Sequence, residues 1–392
     1  MKPLEGLTVL EFSTMITASF AAMMMAEQGA RVIKVEPMNV GDPMRYIGAN
    51  KGGISSLFAN CNRGKRSIRV NLKEAEGQQL IRELIPQVDI FLHNFRPGVM
   101  DKLNLGSEAL RTLNPRLIYA AISGFGKEGP LGNAPAYDPI IQAHSGMAAT
   151  QGGDDSPAFI RSLLCDKITA YTACQAVTSA LFSRERSGGG QLIDLSMLDS
   201  GLFFMFPDGF QNHALLDEDA IPGDMLIDIL YDLTLTKDGG ITVAAANQEM
   251  QGRMLKAIGL LHLLGDERFS TMQKLVENLH IFRGLVAEKC LEYTSDELLA
   301  LLREVEVPCA KCLSRDEVLA QEQLSANDSI AEVDHPHLGT LRVVKAPPRF
   351  GGERLEPSRP VPAHGEHTDA VLADFGLDSQ RINTLRSEGV LG

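Results

Sequence analysis

The first third of the chain alternates short apolar runs with helical patterns, and this alternation limits the fold more than any other feature of the sequence. Strands are predicted at residues 7–12 and 31–36, with a helix between them at 19–28 that Gly29 ends. The pattern continues with strands at 67–72, 88–93 and 117–123 and helices at 75–85 and 108–113. Because each strand returns through a helix, neighbouring strands pair in parallel. The sequence therefore predicts an α/β fold with a Rossmann-like, mostly parallel sheet and helices on both faces.

A sheet of this kind often binds a dinucleotide, but the glycines that such binding needs are missing. Glu36 ends the second strand, where a dinucleotide-binding fold places the acid that holds a ribose. The turn between the first strand and its helix must also contain glycine, so that the backbone can approach the pyrophosphate. Residues 13–19 contain no glycine, and no phosphate-binding P-loop motif occurs in the chain. The sequence therefore argues against an NAD enzyme and a P-loop NTPase.

Asp166 is the main candidate for a catalytic residue. It lies between an apolar, strand-like run and a long helical pattern, which ends with Arg184, Arg186 and the glycines at 188–190. This position predicts a helix N-cap, where a carboxylate faces unpaired backbone N–H groups and the positive end of the helix dipole. The same dipole would stabilise negative charge that develops on a bound carbonyl. A capping role without catalysis is the structural alternative.

The character of the sequence changes after a strand predicted at 191–197 and a helical segment at 202–206. Residues 217–224 are acidic and loop-like, 233–245 predict a hairpin, and helices are expected near 248–262, 270–290 and 295–304. We predict that residues 1–205 form the first part of a large domain and that 225–320 form a smaller α+β domain. Residues 325–392 are rich in Pro and Gly before a helical pattern at 368–375. This tail is typical of a chain that returns to its first domain or embraces a partner.

The charge of the chain excludes several classes of partner. Its 37 Lys and Arg residues and 50 Asp and Glu residues give a formal net charge of -13, which disfavours nucleic acid and anionic membranes. Local basic clusters could still hold a phosphorylated small molecule. The N-terminus lacks an apolar signal core, and no apolar run approaches the roughly 18 residues of a membrane span. We therefore expect a cytoplasmic protein that binds neither nucleic acid nor membrane.

The cysteines and histidines do not predict a metal site. The six cysteines are too few for a disulfide scaffold in 392 residues, so reduced thiols are expected. Cys309 and Cys312 form a C-x-x-C motif, but no second pair lies at zinc-finger spacing. The histidine pairs at 335/337 and 364/367 lie in Pro- and Gly-rich sequence and are predicted to be in surface loops.

Eight short segments together resemble a known family. In chain order they are GARVIKVEP at 29–37, GD at 41–42, NRGKRS at 62–67, NFRPG at 94–98, GFG at 124–126, YD at 137–138, GGGQ at 188–191 and HGEHT at 364–368. In this order they resemble the class III CoA-transferases, the family of formyl-CoA transferase and carnitine CoA-transferase, which also includes the 2-methylacyl-CoA racemases. The resemblance runs nearly from end to end. It implies an interlocked homodimer whose large, CoA-binding domain is built from both chain ends.

The resemblance also implies the chemistry and the residues of the site. Asp166 matches the acid that is the family's nucleophile, so CoA would move from an acyl-CoA to a small carboxylic acid through anhydride and aspartyl-CoA intermediates. Coenzyme A would be a co-substrate and not a permanently bound cofactor. Basic Lys73, Arg96 and Lys102 would meet its phosphates. The positions that the family pattern assigns to CoA binding are Ile16, Thr17, Val70, Asn71, Leu72, Lys73, Asn94, Phe95, Arg96, Lys102, Tyr137 and Asp138.

Some positions depart from the pattern of formyl-CoA transferase. The frequent Gly-Pro before the first helix is Ala18-Ser19, Ile16 replaces a polar residue, and Pro37 replaces an Arg that contacts CoA. These changes weigh against oxalate or formyl-CoA as substrates. The glycine-rich loop that covers the formyl-CoA transferase site is not evident at 216–230. A different lid, or none, would be expected.

Two alternatives to CoA transfer follow from the resemblance. A racemase needs two acid/base groups, but the first of these positions holds Tyr137, and the second aligns with Asn247, with Glu249 nearby as a possible substitute. A tyrosine, whose pKa is ordinarily about 10, is a poor base at neutral pH, so racemisation is disfavoured. A non-catalytic acyl-CoA-binding protein is the third hypothesis. It would not need the carboxylate of Asp166.

Overall fold

The chain divides into two compact units. In the computed structural model, residues 2–217, 219–223, 233–245, 247–357 and 359–392 are described. The larger unit comprises Met1–Phe206 and Gln323–Gly392, and the smaller unit comprises Pro207–Glu322. The predicted domain boundaries at 205, 225 and 325, and the assignment of CoA binding to the large domain, stay predictions. The acidic loop predicted at 217–224 and the segment 216–230 lie partly outside the described residues.

A six-stranded parallel sheet forms the centre of the larger unit, which confirms the predicted α/β fold. Its strands are β1 (Thr8–Phe12), β2 (Arg31–Glu36), β3 (Arg66–Arg69), β4 (Ile90–His93), β5 (Ile118–Ser123) and β6 (Leu192–Ser196). They lie in the order β3-β2-β1-β4-β5-β6, and every neighbouring pair of strands is parallel. All six strands predicted for this sheet are present, with ends that differ from prediction by at most three residues.

Helices follow most of these strands, as the alternating pattern predicted. The helices up to residue 209 are α1 (Thr17–Glu27), α2 (Ser56–Asn62), α3 (Ala75–Leu84), α4 (Val99–Lys102), α5 (Ser107–Leu113), α6 (Asp138–His144), α7 (Met147–Gly152), α8 (Leu164–Ser187) and α9 (Met197–Gly209). The long helix predicted after Asp166 is α8. The two short helices that precede it, α6 and α7, were not predicted.

The two faces of the sheet pack against different helices because side chains alternate along each strand. Val9 and Ile90 face one core, which α1 and α8 cover with small residues such as Ala18 and Ala173. The neighbouring residues along the strands, such as Leu10, face a second core that includes residues of α3 and of the C-terminal helices. The central strands are thus buried on both sides. Their continuous apolar runs are typical of such strands.

The smaller unit contains a three-stranded antiparallel sheet and several helices. The hairpin predicted at 233–245 is present as β7 (Thr234–Leu235) and β8 (Gly240–Val243), and β9 (Cys309–Lys311) pairs with the other edge of β8. The predicted helix at 270–290 is broken into two. The helices here are α10 (Gln248–Ala257), α11 (Met272–Glu277), α12 (Leu279–Cys290), α13 (Ser295–Glu304) and α14 (Arg315–Leu319).

The C-terminal part of the chain returns to the larger unit with more regular structure than its composition predicted. A hairpin of β10 (Ile330–His335) and β11 (Gly339–Val344) was missed. Three helices accompany it, namely α15 (Glu322–Ala326), α16 (Thr368–Asp374) and α17 (Ser379–Ser387). Short two-residue strands pair at Asn50–Lys51 with Ile54–Ser55 and at Arg349–Phe350 with Glu353–Arg354, and 3-10 turns lie at Pro43–Tyr46, Ile85–Gln87, Gln211–His213, Leu261–Gly265 and Glu267–Phe269.

The prediction that His335 lies in a surface loop is wrong. This residue ends β10 and is buried, and its ring Nδ1 accepts hydrogen bonds from the backbone N–H groups of His337 (3.1 Å) and Leu338 (3.2 Å). Because Nδ1 is an acceptor, Nε2 carries the proton and donates to the Val361 carbonyl at 2.8 Å. His335 therefore ties two C-terminal segments together.

Within the described ranges, no cluster of three or more His, Cys, Asp or Glu side chains has an arrangement that could hold a metal ion. None of the helices in the described part of the chain combines the length and the apolar character of a membrane span.

Candidate active site

The order of the strands places a cleft at one edge of the sheet. The sheet runs outward in opposite directions from the β1–β4 pair, and in open α/β sheets ligands bind beyond the carboxyl ends of the strands at this point of reversal. A cleft of about 290 Å³ lies there. Its lining contains Asp166 and half of the residues predicted to bind CoA, namely Thr17, Asn94, Phe95, Arg96, Tyr137 and Asp138.

Asp166 lies in the first turn of α8 and is not the helix N-cap, so the predicted capping role is wrong. The N-cap is Leu163, which provides no side-chain hydrogen bond, and the residues just before it form bends instead of a strand. Since the backbone of Asp166 is already helical, its carboxylate projects into the cleft instead of folding back onto the first N–H groups. The carboxylate still lies at the positive end of the helix dipole.

Asp138, the first residue of α6, provides the side-chain acceptor that Leu163 does not provide at the start of α8. Its Oδ2 accepts a hydrogen bond from the backbone N–H of Asp166 at 3.1 Å. Its Oδ1 accepts from Nε2 of Gln142 at 2.6 Å, and Oε1 of the same glutamine accepts from the backbone N–H of Ile160 at 2.9 Å. Asp138 is itself only 2% exposed. The start of α8 is therefore fixed by a helix that lies earlier in the chain.

The environment of Asp166 raises the pKa of its carboxyl group toward neutral pH. Burial, together with the nearby charge of Asp138, raises the pKa of Asp166 to about 6. The hydroxyl of Thr17 donates a hydrogen bond to Oδ1 of Asp166, and this bond and the charge of Lys167 limit the rise in pKa. At pH 7 the group is thus mostly ionised, yet it is poorly solvated. A carboxylate in this state can act as a nucleophile or a general base.

The turn between β1 and α1 forms one wall of the cleft, and it is held in an uncommon conformation. Met15 has a φ of 61°, in the left-handed region that residues other than glycine rarely occupy. Its N–H donates to Oδ1 of Asp42 at 3.2 Å. The amide of Asn94 holds the preceding residue, because its Oδ1 accepts from the Thr14 N–H (3.1 Å) and its Nδ2 donates to the Thr14 carbonyl (2.7 Å). These contacts set the position of Thr17.

Glu36 is not free to hold a ribose, which agrees with the argument against a dinucleotide site. Its two carboxylate oxygens accept hydrogen bonds from Arg45 Nε (2.9 Å) and Arg45 Nη2 (2.6 Å), and Ser67 Oγ donates to Oε1 at 2.6 Å. Although burial raises it, these bonds and the charge of Arg45 lower the pKa of Glu36 to about 2. The acid at the end of β2 therefore has a structural role.

A buried ionic cluster behind the β1–α1 turn was missed by the sequence reasoning. Lys34 Nζ contacts Glu11 Oε1 at 2.9 Å and Asp42 Oδ2 at 3.0 Å, and Lys65 Nζ contacts Glu11 Oε2 at 2.7 Å. All of these side chains are fully or almost fully buried. Burial lowers the pKa of Lys65 to about 8 in spite of Glu11. The sequence does contain one sign of this cluster. Glu11 and Lys34 are charged residues within apolar strands, and a buried charge needs a partner.

The other residues predicted to bind CoA are not in the lining of the cleft. Ile16 and Val70 are buried in apolar cores, and Leu72 packs partly against one of them. The backbone N–H of Asn71 donates to the Val390 carbonyl at 2.9 Å, while Lys73 and Lys102 are exposed. A role of these six residues in CoA binding stays a prediction.

A second cavity of about 230 Å³ extends along the same edge of the sheet. It shares Phe95, Arg96 and Ile122 with the cleft, and Lys127 also lines it. His93, at the end of β4, contributes to its wall. Burial and, to a smaller extent, the charge of Lys127 lower the pKa of His93 to about 4, so this ring is neutral at pH 7. The two cavities together offer space for an extended ligand.

The two positions that a racemase would use hold a tyrosine and an amide, and the substitute acid Glu249 lies exposed in the first turn of α10. The side chain of Tyr137 is 65% exposed at the start of α6. Asn247 is the N-cap of α10, and its Oδ1 accepts a hydrogen bond from the Met250 N–H at 2.8 Å. The amide of Asn247 therefore has a local structural role.

Comparisons with known proteins agree with this arrangement. The sequence profile of CoA-transferase family III matches residues 4–368. The succinyl-CoA–D-citramalate CoA-transferase of Chloroflexus aurantiacus is 32% identical, over 100% of this chain and 98% of that protein. The formyl-CoA:oxalate CoA-transferase of Escherichia coli is 30% identical, over 98% of each chain. A crystal structure of a CaiB/BaiF family protein from Brucella suis superposes with a TM-score of 0.83 at 30% identity, covering 95% of this chain and 99% of that one.

Proposed function

Because the chain belongs to CoA-transferase family III and is an enzyme that transfers CoA, we propose that Asp166 is the nucleophile of this transfer. The observation that carries the proposal is the state of this carboxylate. It lines a cleft beyond the carboxyl ends of the strands, and burial raises its pKa to about 6. A partly desolvated carboxylate attacks a thioester carbonyl more readily than a hydrated one.

The first half of the proposed reaction moves CoA onto the enzyme. An oxygen of Asp166 attacks the acyl-CoA carbonyl carbon, the C–O bond forms, the C–S bond breaks, and CoA leaves as its thiolate. The product is a mixed anhydride between Asp166 and the acyl group. The thiolate then attacks Cγ of Asp166 and expels the donor acid as a carboxylate. An aspartyl-CoA thioester remains.

The second half of the reaction reverses these steps with a different acid. The acceptor carboxylate attacks Cγ of the thioester, expels CoA thiolate and forms a new mixed anhydride. The thiolate then attacks the acyl carbonyl, which releases the new acyl-CoA and restores the Asp166 carboxylate. No proton is consumed in either half, so the reaction needs no strong acid or base. In every step, one bond to the carbonyl carbon forms and one bond to the same carbon breaks.

The lining of the cleft supports this sequence of steps because water must be kept from the intermediates. Anhydrides and thioesters both hydrolyse, so a transferase must limit the access of water to Cγ. Leu163, Met197, Phe95 and Ile122 contribute apolar side chains to the wall around Asp166. The same wall reduces the hydration of the carboxylate.

We place the CoA moiety along the carboxyl edge of the sheet. The Arg96 side chain lines both cavities and makes no ion pair with any residue in the described part of the chain. A guanidinium group in this position suits a phosphate of CoA. Lys127, in the second cavity, is paired with Asp194. The thioester end would then reach Asp166 from the Arg96 side.

We propose a short dicarboxylic acid as the acceptor, with a dicarboxylic monothioester such as succinyl-CoA as the donor. The names of the two relatives compared above contain succinyl-CoA, citramalate and oxalate, which derive from dicarboxylic acids, and formyl-CoA, which derives from a monocarboxylic acid. The departures from the formyl-CoA transferase pattern at Ile16 and Pro37 weigh against oxalate. Racemisation is not favoured, because the named relatives are transferases.

Two further properties are proposed on the family resemblance. The first is an interlocked homodimer; light scattering on the purified protein tests the dimer, and a crystal structure tests the interlocking. The second is a cytoplasmic location, which the six free cysteines support, because free thiols persist in reducing compartments.

A trapping experiment tests the proposed nucleophile. The protein is incubated with succinyl-CoA, quenched and digested, and the peptide that contains Asp166 is examined by mass spectrometry for bound CoA. Hydroxylamine should attack Cγ of the aspartyl-CoA thioester, displace CoA as its thiol and leave a hydroxamate at Asp166. Asp166→Ala should give no adduct and no transfer while CoA still binds. Asp199→Ala, at an acid that bonds Ser196 at the start of α9, is the control that should keep the adduct.

The substrate proposal is tested separately. A panel of monocarboxylic and dicarboxylic acids is offered with succinyl-CoA or acetyl-CoA as the donor, and the new thioesters are identified. A preference for monocarboxylic acids would overturn the dicarboxylate proposal. It would leave the role of Asp166 intact.

A further inference from the structure

The hydroxyl of Thr17 is bonded to an oxygen of the nucleophile itself. Thr17 is the first residue of α1 and is 3% exposed, and its Oγ1 donates to Oδ1 of Asp166. The two charged groups that influence this carboxylate do not replace the donor. Asp138 is an acceptor, and Lys167 donates from Nζ to Ser162 Oγ at 2.7 Å. Thr17 thus provides a neutral hydrogen-bond donor at the reacting atoms.

The hydroxyl is preorganised by the backbone that carries it. The turn before α1 is held by Asp42, which accepts from the Met15 N–H, and by Asn94, whose amide makes two hydrogen bonds with Thr14. Asp42 is in turn held by Lys34 at 3.0 Å. A donor fixed in this way needs little reorganisation when charge develops in front of it. The uncommon φ of Met15 is consistent with a turn that is shaped for this purpose.

We propose, on the basis of the function proposed above, that Thr17 is a catalytic residue whose hydroxyl stabilises the oxyanion formed on Asp166 during CoA exchange. When CoA thiolate attacks Cγ of the anhydride, the S–C bond forms and the carbonyl electron pair moves onto Oδ1. The Thr17 O–H donates to this oxyanion and keeps its proton. Collapse of the intermediate restores the carbonyl, breaks the C–O bond and expels the donor acid. The acceptor acid uses the same oxyanion in the reverse direction.

The hydrogen bond is strongest where it accelerates the reaction. In the resting carboxylate the negative charge is shared by two oxygens, and in the thioester Oδ1 is a neutral carbonyl oxygen. In the tetrahedral intermediate a full charge resides on the single oxygen that faces Thr17. Only an interaction that strengthens in the transition state raises the rate. Loss of one oxyanion donor typically costs about 100- to 1,000-fold, and the bond already present in the resting state reduces the expected cost here to roughly 10- to 100-fold.

The test compares Thr17→Val, which removes the hydroxyl at nearly constant volume, with Thr17→Ser, which keeps it. Formation and decay of the CoA adduct on Asp166 are followed in single turnovers with succinyl-CoA at pH 8, where the carboxylate is ionised. Thr17→Val should slow both steps by about 10- to 100-fold, and Thr17→Ser should stay within about threefold of the natural protein. Thr17→Ala repeats the comparison if the valine variant does not fold.

A second readout separates this role from a purely structural one. Removal of the hydroxyl also removes a bond that favours the ionised carboxylate, so the acid limb of the kcat/KM profile should move to higher pH in Thr17→Val. A valine variant that reacts within threefold of the natural protein would overturn the inference. Equal slowing by valine and serine would overturn it as well, since retention of the hydroxyl would then give no advantage. If the natural protein forms no adduct on Asp166, the proposed function itself fails.

Discussion

At the scale of single residues, Asp166 combines two opposing requirements. Reactivity requires a carboxylate with little hydration, and burial provides this by raising its pKa to about 6. The same burial costs stability, because an acid that is harder to ionise in the folded protein than in the unfolded chain pulls the equilibrium toward unfolding above its unfolded pKa. Thr17 and the dipole of α8 reduce this cost without removing it. A stability cost at a catalytic group is a common trade-off.

Asp166→Asn should therefore be inactive and more stable than the natural protein. At pH 7 the amide removes a buried charge, and we expect a gain of about 1–3 kcal/mol in the free energy of unfolding. Urea denaturation at pH 7 measures this gain. It should shrink as the pH falls below about 6 and vanish below about pH 3, where the carboxyl group of the natural protein is protonated in both the folded and the unfolded state. Asp154→Asn, at an exposed acid, is the control, and an equal gain there would contradict the explanation.

The pH dependence of activity should follow the same carboxylate. The proposed attack requires ionised Asp166, so kcat/KM should rise about tenfold per pH unit up to about pH 6 and level off above it. Steady-state assays between pH 4.5 and 8.5 measure the profile, with circular dichroism to confirm that the fold persists at the acid end. An acid limb centred near pH 4 would show that the environment does not raise the pKa.

Sequence reasoning reached Asp166 and six of the residues that line its cleft, but not the contacts that hold them in place. The helical pattern after residue 166 and the family resemblance together indicated this acid, because both signals are local or carried by motifs. The N-cap prediction was wrong because the group that caps α8, Asp138, lies 28 positions earlier in the chain. The pairing of Lys34 with Glu11 and Asp42 was equally hidden, since it depends on parallel strands and a turn that meet only in three dimensions.

At the scale of elements, α6 and the β1–α1 turn act as supports for the start of α8. Leu163 offers no side-chain cap, so the Asp166 N–H would lack a partner without the carboxylate of Asp138. Gln142 holds Asp138 and also bonds the Ile160 backbone before α8. The helix that carries Asp166 is thus positioned from two directions. A substitution in α6 that disturbs this support should therefore lower the rate of catalysis.

Asp138→Ala should lower both stability and activity. Loss of a helix cap typically costs about 1–2 kcal/mol, and release of the first turn of α8 should reduce kcat/KM by at least about tenfold. Asp138→Asn keeps one acceptor oxygen and should fall between the alanine variant and the natural protein. Urea denaturation and steady-state kinetics give the two numbers. Unchanged kcat/KM in Asp138→Ala would show that the support is not needed.

Elements with long periodic patterns were predicted well and short ones were missed. The four inner strands of the main sheet, β2, β1, β4 and β5, are largely apolar and buried on both faces, which makes them distinctive in the sequence. α6 and α7 are seven and six residues long, too short for a helical period to emerge. The β10–β11 hairpin alternates buried and exposed residues next to prolines, which concealed it among turn signals. The missed elements include the one that supports the site.

At the scale of the whole molecule, the two chain ends share one core. Leu385 and Val371 in the C-terminal helices belong to the same buried cluster as Leu10 of β1 and Phe91 of β4. The backbone adds to this link, because the Asn71 N–H donates to the Val390 carbonyl and Val70 bridges to Leu391. β1 and β4 are the strands whose carboxyl ends form the cleft. The C-terminal helices therefore stabilise the strands that end at the cleft, although these helices do not line it.

Leu385→Ala should consequently destabilise the N-terminal strands as well as its own helix. Leu385 is fully buried, and truncation of such a side chain costs about 2–5 kcal/mol. If the core unfolds as one unit, amide hydrogen exchange in Ile90–His93 should accelerate together with exchange in α17, by a factor that matches the loss of stability. Gln380→Ala, at an exposed position on the same helix, should leave both segments unchanged. Faster exchange confined to α17 would instead mean that the C-terminal helices form a separate cooperative unit, and that the cleft depends on the first part of the chain alone.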